Sequence, residues 1–261
     1  MRPSRANPAS VSPAARAVST ARFDGALTAT TAANPAAHAF CTISKLARPL
    51  MYRPRSLADA EAITAAAKAA QGDDHQLVTV AVLGHKADLA FMALGPDLWR
   101  LRRFQTELTA AGLDVVDSYL SLTEVSEYAQ GLPEEMKQAR QYPQLPPEGK
   151  RAWCFYPMSK RRQPDQNWYS LPYEEREQLM RGHGATGRTF AGRILQLITG
   201  STGLDDFEWG VTLFGVHPDD LKDVVYTMRY DEASAIYAEF GPFYTGVVGP
   251  IEELLAELGI A

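Results

Sequence analysis

The stretch CFYPMSKRRQPDQNWYSLP, residues 154–172, sets a phenol beside a group of cations. Tyr156 closes an apolar run; Lys160, Arg161 and Arg162 follow it, and then Trp168 and Tyr169. Alternation along a strand puts Cys154, Tyr156 and Met158 on one face, and Lys160 falls on that face by the same period. Strand tyrosines are more often packing residues, and the adjoining cations are what argue for a further role. Arg229 and Ser234 add polar groups to the middle of a long, mostly apolar helical pattern around MRYDEAS. Together these side chains could hold the carboxylates of an anionic ligand.

The chain has five histidines. His38 sits in a low-complexity region, His75 and His217 flank regular elements, and His85 lies at a tight turn in LGHKADL. His183 follows Leu179 by four positions and Met180 by three, so it shares their helix face. That predicts a buried imidazole at a helix end, a place where a satisfied core histidine is commoner than a ligand. No HxxxH, CxxC or carboxylate–histidine spacing supplies a second protein ligand. If His183 binds a metal, a macrocycle must provide the other ligands. There is no GxSxG, P-loop or Rossmann fingerprint, and the glycine-rich GATGRTFAG follows a helix, the wrong order for cradling phosphate.

Elements that must position these residues are legible from residue 76 onward. HQLVTVAVLGH and ADLAFMALG read as strands, PDLWRLRRFQTELTAAG as an amphipathic helix, and LDVVDSYLSLTEVSEY as one long strand. Upstream, SLADAEAITAAAKAAQG predicts a helix with Ser56 as N-cap. The first strand of this half looks weak, around residues 39–52. The order repeats downstream: RAWCFYPMSK a strand, SLPYEEREQLMRGHG a helix ending near Gly184, RILQLITGST and FEWGVTLFGV strands. HPDDLKDVVYTMRYDEASAIYAEFG then reads as one long helix, PFYTGVVGP as a strand and IEELLAELG as a short helix. Two βαββαβ units in tandem predict an α+β fold of two ferredoxin-like sheets packed face to face. The halves would span residues 41–140 and 151–261, joined by the Pro/Gly-rich linker at 141–150.

With 261 residues, 46% hydrophobic and 22% charged, the chain can bury a sizeable core. A net charge of −5 argues against a nucleic-acid binder. Cys41 and Cys154 suggest neither a disulfide framework nor a zinc site, which fits a reducing, cytoplasmic compartment. No apolar run is long enough to span a bilayer. Residues 1–40 are rich in Ala, Ser, Pro and Arg with Asp24 as their only acid, and read as a disordered extension. An organellar transit peptide is the alternative reading of that composition, and a mis-assigned start is another.

CFYPMSKRR, NWYSLPYEER, GHGATGRTFAGRILQLITGSTGLDDFEWGVTLF and VVYTMRYDEASAIYAEFGPFYTGVVGP resemble the coproheme decarboxylases of the chlorite dismutase superfamily. The likeness is dense from about residue 130 to 250, persists in LGHKADLAFMALGPDLWRLRRFQTEL, and does not reach residues 1–55. It implies a tandem ferredoxin-like dimeric α+β barrel assembled as a homopentamer, with haem in the C-terminal half. The implied reaction converts iron-coproporphyrin III (coproheme), at once substrate and redox cofactor, into haem b, with no separate metal. Hydrogen peroxide is the oxidant, and two propionates become vinyls. By this resemblance Tyr156 is the residue that becomes a radical and takes hydrogen from a propionate. His183 is the proximal iron ligand, and Gln196 is the distal glutamine of one subgroup, where chlorite dismutases carry arginine. Met158, Lys160, Arg229 and Ser234 match residues that line the pocket or hold propionates. A transient handover with ferrochelatase follows from the pathway alone. Two other readings stay open: a chlorite dismutase-like or peroxidase-like haem enzyme, disfavoured by Gln196, and a non-catalytic haem carrier, disfavoured by Tyr156.

Overall fold

The computed structural model describes residues 45–72 and 74–260, and the expectations for residues 1–40, His38 and Cys41 lie outside them. The N-terminal half runs β1 (Leu46–Pro54), α1 (Ala60–Ala69), β2 (Gln76–Val82), β3 (Leu89–Gly95), α2 (Leu98–Ala110), β4 (Leu113–Ser118) and β5 (Ser121–Thr123). A 3-10 turn at Glu127–Ala129 and α3 (Glu134–Gln141) lead into the second half. That half runs β6 (Ala152–Lys160), the small hairpin β7 (Arg162–Gln163) and β8 (Gln166–Asn167), and α4 (Tyr173–Arg188). Then come β9 (Ile194–Gly200), β10 (Trp209–Gly215), α5 (Pro218–Met228), α6 (Glu232–Ala235), β11 (Ala238–Phe240), β12 (Tyr244–Val248) and α7 (Ile251–Glu257).

Both halves pair their strands in the same order. In the first, β2 pairs β3, β3 pairs β1, and β1 pairs β4 and β5. In the second, β9 pairs β10, β10 pairs β6, and β6 pairs β11 and β12. Two joints connect them, β5 to β9 and β12 to β2, so the run of pairings returns on itself. This puts Trp153, Phe155, Phe214, Val78, Met92 and Leu94 into one cluster contributed by both halves. Outside it, β1 and β3 bury Leu50, Tyr52, Leu89 and Phe91 under α1, α2 and α7. Phe91 meets Tyr52 and Phe104 edge to face at 5.5 and 5.6 Å, an arrangement worth about 0.5–1.5 kcal/mol per pair beyond area burial.

Several sequence expectations are corrected. The strand expected to be weak is nine residues long and central, because long-range pairing to β3, β4 and β5 fixes it where local pattern does not. α1 is capped by Asp59, which accepts from the Ala62 amide, and not by Ser56. The expected long strand at 113–128 breaks after Ser118. There the Tyr119 hydroxyl bonds Ser201, and the Leu120 amide donates to Asp205, 2.8 Å away. The expected long helix at 217–241 also breaks: α5 ends at Met228, and Asp231 caps the four-residue α6 by accepting from the Ser234 amide. No helix among the described residues is long and apolar enough to cross a membrane.

At the β12–β2 joint, Gly246 faces Val82 in the register, and a Cβ there would lie 2.3 Å from the Ala81 carbonyl oxygen. Backbone cannot move aside as a flexible side chain can. Gly246→Ala is therefore expected to lower unfolding stability by about 1–3 kcal/mol in urea titration. An unchanged midpoint would show that the joint yields freely.

Candidate functional site

Strand register alone assembles one side of a site. Tyr156 pairs Val211, which pairs Ile198; one step along, Cys154 pairs Leu213, which pairs Gln196. In the other direction Met158 pairs Trp209, which pairs Gly200. Directly paired residues point to the same side of a sheet, so these three rows share one face. α5 covers the β6–β10 part of it, burying Cys154, Tyr156, Val211 and Leu213 with Leu221 and Val224. Over β9 the face is open: Gln196 is exposed and Ile198 is 43% exposed.

α4 should close that gap and does not. Its counterpart in the first half, α1, buries Ile63, Ala66 and Ala67, whereas α4 buries none of its sixteen residues. The outer layer of the first half holds eighteen buried apolar residues and that of the second only seven. Glycine at 182 and 187 lowers helix propensity by about 1 kcal/mol each, and a Cβ at either position would meet nothing within 4 Å. Contacts within the chain do not account for those glycines.

His183 projects from this helix and is not the buried core imidazole that the spacing implied. Its side chain is 24% exposed, and the helix continues past it to Arg188. Its Nδ1 lies 2.7 Å from Oδ2 of Asp231, which is 5% exposed. A carboxylate only accepts, so Nδ1 is the donor of this hydrogen bond, and Nε2 is the ring nitrogen left for another partner. A histidine held in this way could ligate a metal through Nε2, the carboxylate fixing the orientation of the ring. Ser234 joins the same group, its hydroxyl 3.4 Å from Nδ1 and 3.3 Å from the Asp231 carboxylate. Sequence reasoning missed Asp231. The signal was a capping aspartate inside MRYDEAS, masked by reading that stretch as continuous helix. Among the described residues no cluster of three or more His, Cys, Asp or Glu could hold a metal without outside ligands.

Tyr156 is 7% exposed and lies flat on Phe243 at 4.4 Å, with Phe240 at its edge at 5.6 Å. Burial pushes its phenol well above the usual tyrosine range, with Cys154 adding to the shift. No described residue hydrogen-bonds its hydroxyl.

The cation group reads differently in three dimensions. Arg161 reaches Gln166 at 2.8 Å and Glu239 at 3.9 Å, while Arg162 pairs with Glu208 and lies over the Tyr169 ring. Lys160 is buried, donates to the Ala233 carbonyl at 2.7 Å, and sits 4.4 Å above the Trp168 ring. It thus ties the end of β6 to α6, the helix whose cap is Asp231. Arg229 caps α5 on the surface, stacked over Tyr226 at 4.7 Å, and the structure does not bring it to Tyr156. Elsewhere, a groove of about 660 Å³ between α1 and α2 is lined mainly by alanines, and Asp59 in it is spent on capping. His75, away from this site, is buried and accepts from the Asp97 amide at the start of α2.

Burial pushes the Lys160 ammonium down to about 8, against smaller attractions from Asp231 and Glu208. The unfolded chain therefore binds more protons than the folded one between pH 8 and 10.5, and this group's contribution to stability rises with pH across that window. Measured at pH 8, 9 and 10, the wild type should gain stability relative to Lys160→Met, by up to about 1.4 kcal/mol per unit. Parallel curves would show that the ammonium is well solvated.

The chlorite dismutase family model matches residues 53–249. A protein of Natronomonas pharaonis named as haem-binding is 47% identical over 182 residues, covering 63% of this chain. The chain spans 30% of the length of that relative. A haem-binding protein from Thermus thermophilus superposes with a TM-score of 0.74 at 36% identity, over 83% of this chain and 95% of that one. A mutant chlorite dismutase from Candidatus Nitrospira defluvii superposes with a TM-score of 0.69 at 19% identity, over 83% and 96% of the two chains, a likeness of fold alone. The α+β architecture, the extent of the match and the Thermus relative agree: this chain belongs to the chlorite dismutase family.

Proposed function

We propose that the protein is a coproheme decarboxylase, binding iron-coproporphyrin III and converting two of its propionates to vinyls with hydrogen peroxide, to give haem b. The observation that carries this reading is Tyr156, a buried phenol in the row beside the open β9 strand, clamped by two phenylalanines with no described hydrogen-bond partner. A carrier has no use for an oxidisable group there. The haem-binding relatives support the ligand class, and the residues present fit it: a histidine with Nε2 open, a helix with glycines and no buried face, and an uncovered strand opposite. The tandem ferredoxin-like barrel belongs to the same reading, supported by the matched strand order of the two halves. So does the homopentamer, with ferrochelatase as the source of the iron porphyrin.

His183 would hold the iron through Nε2, and Asp231 would keep the ring turned toward it. The iron porphyrin, when bound, supplies the redox chemistry that takes oxidising equivalents from peroxide. Each vinyl balances as one propionate carboxylate, one hydrogen peroxide and one proton giving the vinyl, carbon dioxide and two waters. Tyr156 would lose a hydrogen atom, and as a radical take one from the propionate β-carbon. Carbon dioxide then leaves as a second electron is withdrawn. Burial suits the phenol to this, because it keeps its proton across the ordinary pH range and gives it up only together with an electron. Gln196 would face the ligand as a neutral amide, which disfavours chlorite chemistry. Met158, one row beyond Tyr156, would line the porphyrin edge. Arg229 would clamp a propionate by swinging from the Tyr226 ring. Lys160 and Ser234, matched to the same pocket, would act by anchoring α6 and steadying the imidazole.

Apoprotein loaded with ferric coproheme and titrated with hydrogen peroxide should show porphyrin mass falling in two steps through a monovinyl species to haem b. Tyr156→Phe should bind the porphyrin normally and slow conversion by roughly two orders of magnitude or more, about 2.7 kcal/mol of barrier. Haem b formed by that variant at the parental rate would sink the radical assignment. Bleaching without vinyl formation in the wild type would favour the peroxidase or carrier reading. His183→Ala should weaken or misplace the iron while leaving carboxylate contacts in place.

A further inference from the structure

We infer that Phe243 is a positioning residue for Tyr156. With Phe240 it forms a clamp of rings that a phenoxyl radical cannot oxidise, fixing the plane of the phenol and keeping the radical on it. The inference rests on the decarboxylase reading and adds two residues to it. Tyr156 lies flat on Phe243, with ring centroids 4.4 Å apart and planes 23° from parallel, and Phe240 meets its edge at 5.6 Å.

A one-residue irregularity in the pairing puts these rings there. β11 pairs β6 with Phe240 opposite Met158, and β12 resumes the pairing with Tyr244 opposite Phe155. Two residues of β6, Tyr156 and Pro157, therefore face three of the connecting segment, Gly241, Pro242 and Phe243. That is the count of a β-bulge, which re-aims the side chains around it. Had β11 kept its register, Pro242 would stand opposite Tyr156 and Tyr244 opposite Cys154, on the face that carries the phenol. The extra residue instead sets Phe243 beside Tyr156 and turns Tyr244 to the interior cluster, where its hydroxyl donates to Asp117. An oxidisable phenol is thus exchanged for a benzene ring next to the residue that would carry the radical.

Both halves hold this bulge. The Gly241 amide donates to the Pro157 carbonyl at 2.8 Å. A Cβ on Gly241 would lie 2.7 Å from carbons of both Phe207 and Pro157, so the close approach requires glycine. Lys86, in the turn between β2 and β3, donates from Nζ to the Phe243 carbonyl at 2.6 Å and lies 5.5 Å over the Tyr244 ring. From the same turn the Leu83 amide donates to the Thr245 carbonyl at 2.8 Å.

The proposed chemistry needs both properties of the clamp. A phenoxyl radical carries its half-filled orbital perpendicular to the ring, so the plane of the ring decides which hydrogen it can take. Left to itself, the torsion about the bond to the ring is broad, and stacking on Phe243 narrows it. The radical must also last until the propionate carbon is in place. A benzene ring is much harder to oxidise than a phenol, so contact with Phe240 and Phe243 does not drain it.

Apoprotein labelled with ¹³C at the tyrosine ε carbons reads the clamp without any porphyrin. Wild type should show two ε resonances for Tyr156, assigned by their loss in Tyr156→Phe, because a tightly packed ring turns over slowly. Phe243→Leu, apolar but not flat, should average them to one, whereas Phe243→Tyr should keep both. The proteins are then loaded with ferric coproheme, mixed with hydrogen peroxide, frozen, and read by electron paramagnetic resonance and porphyrin mass. Wild type should give one tyrosyl signal with sharp β-hydrogen splittings. Phe243→Leu should broaden it and lower the yield of haem b per peroxide about 10-fold. Phe243→Tyr should lose yield with its clamp intact, through a second tyrosyl signal. Averaged resonances in the wild type, or wild-type splittings and yield in either variant, would overturn the inference alone. A wild type with two ε resonances that forms neither tyrosyl radical nor haem b would overturn the decarboxylase reading, and this inference with it.

Discussion

β6 is the strand on which the functional half hangs. It pairs from Ala152 to Met158 with β10 on one side, and on the other with β12 over its first part and β11 over its last. That double engagement fixes both faces. Trp153 and Phe155 go into the shared interior, and Cys154, Tyr156 and Met158 toward the outer helices. A slip of one residue would exchange these sets, moving the phenol into the interior and Phe155 to the site. Because Lys160 ends the same strand and holds the Ala233 carbonyl, the register that places Tyr156 also places α6, its cap Asp231, and through that carboxylate the ring of His183. The positions of Tyr156 and of the His183 ring are thus both tied to one strand.

The two halves show how a repeated architecture separates stability from function. Strand order is the same in both, but the outer layer is finished differently. Alanine-rich α1 packs closely on α2, and α7, from the far end of the chain, adds Ile251, Leu254 and Leu255 to the same cluster. At the place equivalent to α1, α4 carries Glu174, Glu175, Arg176 and three glycines, and leaves the β9 face uncovered. An apolar layer left incomplete forfeits burial worth about 25 cal/mol per Å². The first half, with its tighter outer layer, can carry that deficit. An open site in one half and a filled layer in the other are complementary parts of one arrangement.

Much of this was legible in the sequence, and what was not has a consistent cause. Strands with strong apolar patterns, β2, β3, β6, β9, β10 and β12, fell where periodicity put them, and Tyr156, Met158 and Gln196 share a face as alternation and register require. What failed depended on partners distant in sequence. β1 reads weakly because Arg48, Pro49 and Arg53 interrupt its pattern, yet pairing to three strands makes it central. The break at Arg229–Asp231 was hidden because DEAS can either continue a helix or cap a new one, and His183 on another element decides which. The cations after Tyr156 looked available because their counter-ions, Glu208 and Glu239, lie dozens of residues away. His183 looked buried because a Leu–Met–His face normally points inward, and the sequence holds no sign that the layer beneath it stops short.

The fate of those cations bears on how an anionic ligand would be recognised. Arg161, Arg162, Arg176 and Arg193 all sit in ion pairs with acids of the same chain, and Lys160 is spent on a carbonyl. A chain with net charge −5 whose site-side cations are so neutralised exerts little long-range pull on a tetracarboxylate. Selection for such a ligand would therefore rest on contact, with the imidazole aligned by Asp231, the exposed face of β9 and the Gln196 amide on it as what the site offers. Contacts of this kind are screened weakly by salt, because they act well inside the Debye length of about 8 Å at physiological ionic strength. An acidic surface and an anionic ligand would then be compatible, since the energy of recognition would come from contacts within the site more than from the field around it.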